Sequence, residues 1–170
     1  MIVIAGIALP PMVELLVQIN VSAEKVVPFV KPNTLAVEML EEIKGKRWDE
    51  NWIGGPLADA EKTAPSALGA DSGETGRADF DDMDDYKDIQ PVPQDAEGNP
   101  LPAYADYTVQ VQVYYVFGIG DAYPLTAPAN FDFVTPVTTN PPSSDYKRID
   151  VTITKNTGET FSASTIVCNY

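Results

Sequence analysis

The fold class predicted for this chain is α+β: a long, proline-interrupted apolar helix continues into an amphipathic helix packed on a small antiparallel β-sheet. Three observations predict it. Residues Met1 to Val13 carry no charged side chain. Leu35, Ala36, Met39, Leu40 and Ile43 recur at the spacing of one helix face. Beyond residue 106, apolar and polar residues alternate with period two in three separate runs.

The first element is the apolar one. After Glu14 its character resumes through Leu15, Leu16, Val17 and Ile19. Ile2, Val3, Ile4, Ile7, Leu9, Val13, Leu15, Leu16 and Ile19 are therefore candidates for burial in a membrane or against neighbouring helices. A helix over Met1–Val13 would reach about 20 Å, against a hydrocarbon core of about 30 Å. Either the span includes Glu14, at roughly 2.5–3.5 kcal/mol near the bilayer centre, or apolar residues precede Met1. The second reading is the favoured one. Pro10 and Pro11 remove backbone donors, and Pro28 and Pro32 do so again, so a kink or restart is predicted at each.

The second element is a helix from Thr34, as N-cap, to about Trp48. Glu38, Glu41 and Glu42 lie nearer its start and Lys44, Lys46 and Arg47 at its end, which complements the helix macrodipole. Gly54-Gly55-Pro56 follows, and from there to about Ala105 the chain is rich in Gly, Pro, Asp and Ala without clear periodicity. That stretch is predicted to be a surface-hugging connection. Strands come next. Tyr107, Val109, Val111, Val113, Tyr115 and Phe117 alternate with Thr108, Gln110, Gln112 and Tyr114. A proline-punctuated loop over Gly118–Ser144 precedes the alternation of Ile149, Val151 and Ile153 with Arg148, Asp150 and Thr152. Asn156-Thr157-Gly158 supplies a turn, and Phe161, Ala163, Thr165 and Val167 mark one face of a third strand, so the last two strands form a hairpin. The organisation expected is a helical stalk over 1–52, an irregular acidic connection over 53–105 and the sheet over 106–170.

Composition excludes several function classes. A formal net charge of -14 repels phosphate backbones, so nucleic acid is not an expected partner. With no histidine, there is no His-dependent triad or His-ligated zinc. The serines have no histidine to activate them, so an enzyme is not expected. Cys168 is the one cysteine, so an intrachain disulfide is impossible.

Asp79, Asp81, Asp82, Asp84 and Asp85 crowd together and repel one another unless solvated, paired or bridged by a hard cation. Two readings stand: a solvated acidic loop, or a calcium site that lacks the EF-hand pattern. Asp95, Glu97 and Asn99 offer alternating oxygens around Gly98, although Glu97-Gly98-Asn99-Pro100 also reads as a turn. Tyr107, Tyr114, Tyr115 and Phe117 suit either strand packing or ligand stacking.

The order of parts, with Glu38-Met39-Leu40-Glu41-Glu42-Ile43-Lys44 ending the helical half, resembles type IV pilins. More narrowly, Ala36-Val37-Glu38-Met39-Leu40-Glu41-Glu42-Ile43, Phe80-Asp81-Asp82-Met83-Asp84-Asp85-Tyr86, Gly98-Asn99-Pro100-Leu101 and Asn169-Tyr170 look like minor pilins of the mannose-sensitive haemagglutinin type. In that family a class III leader is cleaved before an N-methylated phenylalanine, a glutamate follows, and the apolar helices pack into a filament core. Met1-Ile2-Val3-Ile4 resembles the segment just after that glutamate, so the start of the family pattern is expected upstream; in an alternative register Glu14 is that glutamate. The resemblance implies a filament subunit of a type IV pilus or of a type II secretion pseudopilus. Its partners would be other pilin subunits and, before assembly, the inner membrane; its final place would be an extracellular pilus or a periplasmic pseudopilus. A minor tip pilin adhering through Gly118–Ser144, and a secreted β-domain with a signal peptide cleaved after Val21-Ser22-Ala23, are the alternatives.

Overall fold

A computed structural model describes residues 30–89, 92–117, 135–142 and 144–170. The apolar segment Met1–Ile19, the kinks expected at Pro10, Pro11 and Pro28, and most of the loop over 118–144 lie outside the described residues.

Helix α1 covers residues 30–44. Leu35, Ala36, Met39, Leu40 and Ile43 are all buried on one side of it, as their spacing requires. Pro32 corrects the expectation of a break. Proline's φ is already helical and Pro32 stands in the first turn of the described helix, where the N–H it lacks has no partner carbonyl among the described residues; it is buried at the spacing of that same face. Thr34 is not a cap either: it lies inside the helical run, and its hydroxyl donates to the Val30 carbonyl at 2.9 Å, one turn back. The helix ends earlier than Trp48. Gly45 N–H closes it on the carbonyls of Glu41 and Glu42, at 3.2 and 3.0 Å. The chain then turns so that Arg47 forms a parallel bridge with Asp82, with Arg47 N–H on Asp81 O at 3.3 Å and Met83 N–H on Arg47 O at 2.9 Å.

The three strands are β1 (Tyr107–Val116), β2 (Tyr146–Lys155) and β3 (Thr160–Cys168), antiparallel in the order β1-β2-β3. The register aligns the inward rows: Val111 faces Val151, which faces Ala163, and Val113 faces Ile149, which faces Thr165. A one-residue slip would turn every one of these side chains to the other face. Between β2 and β3, Lys155 N–H meets Glu159 O at 2.8 Å and Gly158 takes φ 94°, the left-handed conformation that a side chain would resist. Helix and sheet share one core with Leu35, Met39, Ile43, Val111, Ile149 and Val151 among its members.

The connection over 53–105 does not merely run over the surface. Leu57, Leu68, Phe80, Met83 and Tyr86 are buried in that same core. One turn of 3-10 helix at Asp84–Tyr86 sits against β1, and Asp88 N–H donates to Val111 O at 3.0 Å along its edge. At the other end of the chain, Asn169 accepts from Leu57 N–H at 2.9 Å and donates to Leu57 O at 3.0 Å, pinning the C-terminus under this connection.

Candidate functional site

Period-two alternation on β2 sends Lys147 inward with Ile149, Val151 and Ile153. It pairs across the sheet with Tyr115 on β1 and Val167 on β3. Lys147 is 0% exposed, in a pocket walled by aromatic rings: its Nζ lies 4.4 Å from the centroid of Trp48 and 5.3 Å from that of Tyr115. An ammonium in such a place must find a partner for each proton. Nζ donates to Trp48 O at 2.6 Å, to Asp49 Oδ2 at 3.2 Å and to Asp84 Oδ1.

The carboxylates reach it from two segments that the Arg47–Asp82 bridge holds side by side. Asp49, also 0% exposed, accepts from Thr63 N–H and Oγ1 at 3.0 Å each, from Asn51 N–H at 3.2 Å and from the Tyr115 hydroxyl at 3.2 Å. Burial pushes its carboxyl up, but the Lys147 ammonium and these donors outweigh it and hold Asp49 below the usual range. Asp84 and Asp82 behave oppositely. Burial lifts Asp84 despite Lys147, and burial together with the Asp84 charge pushes Asp82 up to about 8. Asp82 Oδ1 accepts from Asp84 N–H at 2.8 Å, which folds the tight turn that presents Asp84 to Lys147.

The five aspartates therefore do not form the solvated loop that was one of the two sequence readings. Asp82, Asp84 and Asp85 are buried, and only Asp79 and Asp81 are exposed. They do not form one ligand set either. Asp79 accepts from Thr75, and Asp81 pairs with Arg47. Asp85 Oδ2 accepts from the N–H groups of Asp81 and Asp82 at 2.9 Å each. Asp81 and Asp85 do come together with Glu74, ligand oxygens of the three lying within 4.8 Å of one another. Burial and the two neighbouring aspartates push the Glu74 carboxyl up to about 7. The trio offers three hard oxygens, fewer than the six to eight that a calcium ion takes. Asp95 serves its turn: Oδ1 accepts from Asn99 N–H at 2.8 Å and from Glu97 N–H at 3.1 Å, with Gly98 at φ 81°.

Lys147, Asp49 and Glu74 were not singled out from sequence. A signal for Lys147 existed, since it shares the inward parity of Ile149, Val151 and Ile153. Asp49 and Glu74 carried none, because what they approach is distant in the chain or set by loop geometry. Of the strand aromatics, Tyr107 and Tyr115 are buried in packing, while Tyr114 faces outward and donates to Asp150 at 2.6 Å.

Comparison with protein-family models, with curated proteins and with solved structures found no match. Among the described residues, no helix is long and apolar enough to cross a membrane.

Proposed function

We propose that the chain is a structural subunit of a type IV pilus or pseudopilus filament. The helix–sheet unit is its head, and Met1–Ile19 is the segment that holds it in the inner membrane and then packs against other pilin subunits. What carries this reading is the order of parts. The buried face of α1 belongs to the same core as β1 and β2, so the head closes its core with its own helix. A stretch with Glu14 as its one charge in nineteen residues precedes that helix and would, in water, expose far more contiguous apolar surface than a monomer tolerates. Assembly requires no catalysis and no nucleic acid, and the reading includes neither.

The deciding experiment is truncation. Removing residues up to Ser22 is expected to yield a soluble, folded monomer that keeps the sheet, whereas the intact chain requires detergent or forms filaments. An intact chain that purifies from water as a monomer defeats the proposal.

A further inference from the structure

We propose that Lys147 and Asp84 become joined by an intramolecular isopeptide bond, formed by the folded chain itself. Three features of the pocket are what that condensation needs. The amine and the carboxyl are in direct contact, side-chain exposure being 0% for Lys147 and 4% for Asp84, so the reacting groups are held together and water is kept out. A base is in place, because Asp49 Oδ2 lies 3.2 Å from Nζ and its carboxyl is held in the ionised form. A proton is also at hand: Asp49 and Asp84 share one ammonium, and burial favours the neutral form of the Asp84 carboxyl.

The reaction balances within the pocket. The Lys147 ammonium gives one proton to Asp49, and the freed amine attacks Cγ of protonated Asp84. The C–N bond forms as the C–OH bond breaks. The leaving hydroxyl departs as water with a second proton from nitrogen, and the amide keeps the third. Asp49 ends neutral, so the ion pair is replaced by an uncharged amide, which the low-dielectric site favours. No oxidant, metal or co-substrate enters. Trp48 and Tyr115 act as walls that position the amine and keep it dry. The bond would tie residue 84 to β2 and carry tension past everything between them. That mechanical consequence rests on the filament reading, whereas the bond does not.

Mass spectrometry of the full-length chain, denatured and digested, tests this. The expected result is a branched peptide joining the segments around Asp84 and Lys147, lighter by one water than its two linear parts, with trypsin passing over Lys147. Lys147→Met should restore the linear peptides. Asp84→Asn should give the same branched product by losing ammonia instead of water. Linear peptides carrying unmodified Lys147 and Asp84 in the wild-type chain overturn the proposal even if both variants fail to fold, and so does a water loss that maps to another pair. A filament subunit without the bond would leave the proposed function standing, and a bonded chain that never assembles would leave the bond standing.

Discussion

The Tyr86 hydroxyl donates a 2.7 Å hydrogen bond to Glu42 Oε1, joining the acidic segment to α1 across 44 residues of sequence. Arg77 completes the site, its Nε donating to the same Glu42 oxygen at 2.9 Å. Burial pushes the Glu42 carboxyl up, but Arg77 and Tyr86 outweigh it and hold the group below its usual range. Tyr86→Phe is expected to cost about 1.5–3 kcal/mol, the range for a hydrogen bond to a charged group. Urea unfolding measures it, and an unchanged midpoint contradicts the assignment.

Asp82 sets a pH dependence of opposite sign to that of Glu42. An acid whose folded pKa is raised binds a proton on folding, so its contribution is full below the unfolded value and is lost as pH rises through the folded one. With Asp82 pushed up from 3.8 to about 8, stability should decline over that window. Melting temperatures of the parent and of Asp82→Asn, compared across it, should converge at acid pH and diverge toward neutral, with the variant the flatter. Parallel profiles would refute the shift.

Lys147→Met removes the side chain that partners Asp49 and Asp84 in the core, whether it serves as an ammonium or as the proposed amide. Breaking a buried pair from one side costs about 3–5 kcal/mol. Chemical denaturation should show a loss of at least that order, and a variant as stable as its parent would mean that Lys147 is not needed to hold the pocket together.

If Glu74, Asp81 and Asp85 take calcium, the ion should raise the melting temperature, by about 2.7 kcal/mol of stabilisation at a hundredfold excess over the dissociation constant. Because burial and its neighbours push Glu74 up to about 7, the effect should weaken as pH falls below neutral. Identical melting in millimolar calcium and in chelator rules the ion out.

Leu15→Asp with Leu16→Asp is expected to abolish filament formation while leaving the head folded, since unpaired charges among packed helices cost several kcal/mol each. Circular dichroism and electron microscopy read the two halves separately. Filaments formed normally by the double variant would show that this segment is not the packing surface.

Local periodicity by itself determined the helix face from Leu35 to Ile43, the three strands, and the hairpin at Asn156–Gly158, because each is written in residues that lie within a turn or a strand of one another. Tertiary structure alone decided the rest. Pro32 joins the first described turn of a helix rather than breaking one, and its burial there is set by the folded chain. Asp82 and Asp84 read in sequence as solvated or bridged by a cation, since burying a bare carboxylate is costly. Lys147, 63 residues beyond Asp84, offsets that cost, and no spacing rule connects the two. Glu74 reaches Asp81 and Asp85 through loops whose path no periodicity encodes. Secondary structure follows from neighbours in the chain, while a buried charge is explained only by the partner that folding brings to it.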